Sequence, residues 1–292
     1  MHSIHALPYS YHHSMKATSL CYLTALALSL NAQAVVIQEN FESITTGSDL
    51  NGKKGWVVND TGHPELATVQ QWGAYGSGKA AFLGFPFVDG ELNYMPTLPT
   101  VNLTHTYGEQ MVGIGHPGTS ATFSFAIMDS TISYPNHDTF GVALTTTVGA
   151  TVTNIFSVAF VPYYRQPGSV WEGVWTVHYT VGSESEVQTG WGLQSGNYLN
   201  DFDLSFSAAG SVTSYSLTIN DGHWTGTTAF APSQVIDTFG VSWTPLKDPT
   251  LYPDQAGDNG FIFDNLTVVP EPSSALLLGL AGLGLVSRRR RV

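Results

Sequence analysis

Trp171 and Trp175 stand four residues apart in Trp-Glu-Gly-Val-Trp, a spacing that puts both indoles on one face of a strand. Tyr163, Tyr164, Tyr179 and Trp191 are close enough in sequence to extend that face, and flat aromatic surfaces of this kind suit the C–H faces of sugar rings. Trp224 follows the turn-like run Asn220-Asp221-Gly222-His223 and is a further candidate. The competing reading places Trp171 and Trp175 in a hydrophobic core. Hydrolysis of a glycosidic bond requires two carboxylates about 5 to 10 Å apart. Asp201-Phe-Asp203 and Glu184-Ser-Glu186 alternate, but the first lacks a partner glutamate and the second lies in a turn-like stretch. No G-x-S-x-G elbow is present, and His63, His105, His116, His137, His178 and His223 form no H-x-H or H-E-x-x-H pattern. Binding is therefore expected rather than catalysis.

The elements that must carry these groups are strands. Between residues 35 and 269 apolar residues recur with period 2, bounded by Gly, Pro, Asn and Asp. The pattern predicts strands over 35–41, 80–83, 121–128, 139–147, 152–161, 174–181, 202–207, 215–219, 235–244 and 261–268. Alternation of the kind seen in Phe140, Val142, Leu144 puts one face on a core and the other toward solvent. Ten or more short strands joined by turn-rich loops imply an all-β, two-sheet antiparallel sandwich in one domain, residues 35–269. One echo stands out, Asp138-Thr-Phe-Gly-Val and Asp237-Thr-Phe-Gly-Val, and is read as two strands in similar positions.

Charge narrows the partners. Charged residues make up 11% of the chain, less than half of the roughly 25% usual in globular proteins. Residues 35–269 hold five basic side chains (Lys53, Lys54, Lys79, Arg165, Lys247) against 21 carboxylates, a net charge near −16. Such a field repels nucleic acid and anionic lipid. The only cysteine is Cys21, so residues 35–269 form no disulfide and no thiolate metal site.

The two ends read as export signals. Lys16, the apolar run 20–30 and Asn31-Ala32-Gln33-Ala34 have the layout of a signal peptide, residues 1–34, cleaved after Ala34 with Ala32 as the second small residue. Translation starting at Met15 would give the same signal. At the other end, residues 270–292 comprise Pro270-Glu271-Pro272, a short apolar helix over 275–286, and Arg288, Arg289, Arg290 and Arg291. The apolar run is short for a permanent span, and the arginines set its cytoplasmic end. This arrangement resembles the PEP-CTERM sorting signal of Gram-negative bacteria. The resemblance implies recognition by an exosortase-type membrane protease, a transient inner-membrane anchor, and delivery to the outer cell surface or extracellular matrix.

The domain itself has ordered landmarks. It opens Glu39-Asn-Phe-Glu42, continues through Gly52-Lys-Lys-Gly-Trp56 and Gly78-Lys-Ala-Ala-Phe82, and closes Phe263-Asp264-Asn265-Leu266. This ordering resembles the concanavalin-like and carbohydrate-binding-module jelly rolls. The resemblance implies first and last strands lying side by side, with Glu42 and Asp264 as carboxylate ligands of a structural Ca²⁺ there. The combined expectation is an exported, non-catalytic sandwich associated with extracellular polysaccharide. A structural surface protein without a glycan site, and a glycoside hydrolase or polysaccharide lyase with atypical acids, are the alternatives.

Overall fold

The computed structural model describes residues 37–269, except 61, 73–77, 85–99, 108–111, 114–118, 130–137, 164–173, 195, 197 and 246–258. All of the described residues belong to one compact unit, Val35–Glu271. Its strands, in chain order, are β1 (Ile37–Glu39), β2 (Trp56–Val58), β3 (Ala67–Gln71), β4 (Lys79–Gly84), β5 (Val101–Thr106) and β6 (Val112–Gly113). There follow β7 (Thr119–Asp129), β8 (Thr139–Val148), β9 (Thr151–Pro162), β10 (Val174–Val181), β11 (Val187–Gln194) and β12 (Asn200–Ala209). The last are β13 (Val212–Ile219), β14 (Gly222–Thr228), β15 (Val235–Ile236), β16 (Thr238–Thr244) and β17 (Asn259–Val269).

Two antiparallel sheets form a jelly-roll sandwich. One runs β14-β13-β12-β7-β17-β4-β3, with β1 also paired to β17; the other runs β11-β10-β9-β8-β16-β5-β2. The first and last strands do lie side by side, with Ile37 opposite Val268 and Glu39 opposite Leu266. Alternation on both sheets builds the core. Phe261 of one sheet lies 5.6 Å from Phe140 and 5.7 Å from Phe160 of the other, ring centre to ring centre. Pairs at such separations add about 0.5–1.5 kcal/mol each beyond their area burial.

All ten expected strands form, with shifted ends. The expected strand 235–244 divides at Asp237 into β15 and β16. There the Asp237 amide donates to the Thr145 carbonyl, and its own carbonyl accepts from the Tyr107 amide. Strands β2, β3, β5, β6, β11 and β14 were not legible from periodicity. The turn read at Asn220-Asp221 is a two-residue hairpin, Ile219 pairing with Gly222, but residues 222–224 begin β14.

The repeated Asp-Thr-Phe-Gly-Val motif turns out to open two neighbouring strands, β8 and β16. Antiparallel pairing sets Val142 opposite Val241, the fifth residue of each copy. The two copies are thus related by a local two-fold axis through that pair. Each aspartate secures the far end of its neighbour: Asp138 Oδ2 accepts from the Trp243 indole at 2.7 Å, and Asp237 Oδ2 from the Thr147 amide at 2.6 Å. Asp237→Ala leaves that amide without its acceptor and should cost about 1–2 kcal/mol in a urea melt. A loss below about 0.3 kcal/mol would mean that water replaces the carboxylate.

Candidate functional site

The outward face of the seven-stranded sheet carries a groove of about 560 Å³. Strand register explains its shape. One row across the sheet runs Asn102, Ser242, Gly141, Ala159, His178. The next runs Thr104, Gly240, Ala143, Ser157, Thr180. Each row crosses five strands, about 19 Å at the usual interstrand spacing. Glycine and alanine occupy the middle of both rows, and hydroxyl and amide side chains flank them. The floor is low at Gly141, where a Cβ would sit 2.5 Å from Ser242 Oγ and a larger residue would require that hydroxyl to turn aside. Gly141 and Gly240 are the same position in the two motif copies, so the repeat makes the floor.

One titratable pair stands at the flank. His178 Nδ1 lies 2.9 Å from Glu186 Oε1, and its Nε2 lies 3.1 Å from Thr176 Oγ1. Glu186 is the groove's one carboxylate among the described residues, and none of the described lysines lines it. In the sequence Glu186 stands out only as half of the Glu184-Ser-Glu186 alternation. The small-residue floor carries none of the large aromatic side chains that mark a sugar-stacking surface in sequence. The signal available was the shared Gly of the repeated motif.

The candidate tryptophans separate. Trp175 has no exposed surface; its indole donates to the Asp138 carbonyl at 2.8 Å and its ring faces the core, which corrects its assignment to a sugar-stacking surface. The reason is parity: on β10 Trp175 shares the inward face with Val177 and Tyr179, while Thr176, His178 and Thr180 point outward. Trp191 and Trp224 do meet, at 6.4 Å and 76°, where β11 and β14 edge their sheets. Trp224 is half-buried against the core, while Trp191, 37% exposed, is the more open of the two rings. Trp171 lies outside the described residues. Asp201 and Asp203 are on the other sheet, where Asp201 Oδ1 accepts from Ser124 Oγ at 3.0 Å and burial raises the Asp203 pKa.

The junction of β1 and β17 gathers acid. Asp264 is buried, its Oδ1 makes no hydrogen bond, and its pKa is pushed up to about 6 by burial, with the nearby charges of Glu42 and Glu39 adding to the shift and the Asn265 amide opposing it. Glu42 is exposed and accepts from the Lys79 amide at 2.8 Å. Sequence reasoning overlooked Glu39, which is 5% exposed and accepts from Lys54 Nζ and the Phe41 amide, both at 2.8 Å. Lys79 Nζ donates to the carbonyls of Glu42 and Ile44 at 2.9 and 2.7 Å. Asp264 Oδ1, the buried carboxylate oxygen without a donor, is the atom a hard cation would take, while Glu39 is already paired with Lys54 and Glu42 Oε1 with the Lys79 amide. Three acidic or histidine side chains in metal-binding proximity do not occur among the described residues, so carbonyl oxygens would have to complete such a shell.

The export elements fall elsewhere. Ala32, Ala34, Pro270, Glu271, Pro272, Arg288, Arg289, Arg290, Arg291 and the apolar run between them lie outside the described residues. Among the described residues no helix is long and apolar enough to cross a membrane. No curated protein sequence matches the chain. Similar solved structures include a marine PL-14 alginate lyase from Aplysia kurodai, with TM-score 0.46, 7% identity, and coverage of 82% of this chain and 99% of that one. A Bacillus licheniformis β-glucanase gives 0.44 at 10% identity, covering 81% and 98%. Basic winged bean lectin with Tn-antigen gives 0.43 at 11%, covering 82% and 100%. The family model of the PEP-CTERM protein-sorting motif matches residues 268–291. This two-sheet jelly-roll chain therefore carries a PEP-CTERM protein-sorting motif, the mark of an exported protein processed at the membrane.

Proposed function

We propose that the protein is delivered to the outer cell surface or extracellular matrix and there holds polysaccharide in the groove of its seven-stranded sheet, without cleaving it. The single observation that supports this most is the groove itself: a long, low floor bordered by hydroxyl and amide groups, the hydrogen-bonding counterparts of sugar hydroxyls. Among the described residues the groove has one carboxylate, already engaged by His178, and this favours holding over hydrolysis, which takes two. Trp191, backed by Trp224, would add a stacking contact at the neighbouring sheet edge. In this reading an exosortase-type protease removes the tail after a transient inner-membrane stage, and a Ca²⁺ ion at Asp264, with Glu42 and Glu39 near it, ties the ends of the domain together.

The test is retention of the purified chain on polysaccharide extracted from the producing cells. Wild-type protein should be retained, and Ala159→Tyr, which raises the floor, should lower retention at least tenfold with the melting midpoint held. Equal retention of wild type and variant would remove the groove from the proposal. Release of reducing ends or unsaturated sugars during the assay would favour the enzyme alternative.

A further inference from the structure

Resting on the groove as the binding site, we infer that its ligand is a neutral glycan chain and not a uronic-acid or sulfated one. A polyanion is held by lysine and arginine, which neutralise its repeating charge and pair with its carboxylates or sulfates. The two rows offer Asn102, Thr104, Ser157, Thr180 and Ser242, all uncharged, with His178 at one end paired to Glu186, and no described lysine. Of the three described lysines, none of which lines the groove, Lys53 is exposed and the other two are committed. Lys54 is held by Glu39 at 2.8 Å, and Lys79 by two main-chain carbonyls.

Charge at the groove adds to this. Glu186 stands on its flank, 47% exposed in its side chain, and would face an acidic polymer with like charge. The net charge near −16 over residues 35–269 adds long-range repulsion that weakens as salt rises. A neutral chain meets none of these costs. Its hydroxyls can donate to the threonine, serine and asparagine oxygens and accept from their O–H and N–H groups. Gly141, Gly240, Ala143 and Ala159 let the chain lie close to the sheet without displacing a side chain.

Affinity electrophoresis of the purified full chain tests this, in gels containing either a neutral polymer (barley β-glucan, xylan, galactomannan) or an acidic one (alginate, polygalacturonate), at 0.05 and 0.5 M NaCl. At least one neutral polymer should retard the protein tenfold more strongly than either acidic polymer, equally at both salt concentrations. Ala143→Tyr and Ala159→Tyr should abolish that retardation with unchanged melting midpoints, two variants guarding against a folding defect in one. Thr180→Arg should raise retardation by polygalacturonate at low salt. Stronger retardation by an acidic polymer, lost in both tyrosine variants, overturns the neutral class and keeps the groove. Retardation by any polymer that survives both tyrosine variants, or no retardation by any, overturns the groove reading itself.

Discussion

Replacing Trp175 by alanine should lower stability by about 4 kcal/mol, the cost of emptying an indole-sized volume from a packed core. In a unit of this size that is a fall of about 12 °C in melting midpoint. Two contacts are lost at once. The ring leaves the aromatic layer beside Phe140, 6.5 Å away, and its N–H no longer donates to the Asp138 carbonyl. Trp175→Phe separates them, retaining much of the volume while removing the donor, and should cost about 1–2 kcal/mol. A Trp175→Ala protein that melts like wild type and loses glycan retention would place the indole on the surface. Asp138 makes the site doubly sensitive, because its carboxylate also accepts from Trp243. The indoles of Trp175 and Trp243 are thus both anchored by the residue that opens one copy of the repeated motif.

Asp264→Asn has the next largest expected effect, and its sign depends on calcium. With a chelator present, wild-type Asp264 carries a buried charge whose pKa is about 6 in the fold, against 3.8 for the unperturbed side chain. Its folded pKa lies above the unfolded one, so the ionised form is the penalised one. The penalty is absent below pH 4, grows between pH 4 and 6, and is complete above 6. Two units correspond to roughly 3 kcal/mol, of which relaxation around the side chain should leave about 2. Asp264→Asn should therefore melt about 6 °C higher than wild type at pH 7.5 in chelator, and show no gain at pH 4. Millimolar calcium should raise the wild-type midpoint and leave the variant unmoved. A wild-type midpoint indifferent to both calcium and chelator would sink the cation proposal. The amide gain in chelator would then stand alone as relief of a buried charge.

His105 gives the opposite pH trend. Burial lowers its pKa, outweighing the Lys54 carbonyl that accepts from the ring, and its Nδ1 has no partner. The fold holds this ring neutral, so its contribution is lost as the pH falls through the ordinary histidine range and the unfolded chain takes up the proton. As the pH falls, His105 and Asp264 thus move stability in opposite directions.

The sandwich was legible because its inner faces are built from strict alternation. In β8 Phe140, Val142 and Leu144 are buried and the residues between them are not. The strands that escaped notice lack that contrast. β11, Val-Gln-Thr-Gly-Trp-Gly-Leu-Gln, is an edge strand exposed almost throughout, so nothing in its sequence records which face meets the core. β14 is glycine- and threonine-rich for the same reason of position. The candidate site was harder still. Two indoles four apart announce a shared face, but not whether that face is in or out, and one residue of parity decided it. The groove depends on which strands become neighbours: Gly141 and Ala159 lie in separate strands, and only the β8–β9 register places them side by side. The acidic junction was half legible. Glu42 and Asp264 were picked out by resemblance, while Glu39, three residues earlier, is the glutamate that is buried.

Strand β17 is a middle strand, flanked by β7 on one side and by β4 and then β1 on the other, and the sorting tail continues directly from it. A force directed along the axis of β17 would act on the strand lengthwise. It would load both ladders in shear, many hydrogen bonds at once, where a terminal edge strand would peel away bond by bond. The pull on a bound glycan would enter through the other sheet and cross the aromatic core. If the chain is tethered by that tail while it holds a glycan, as proposed, mechanical endurance between the two is a property of strand order.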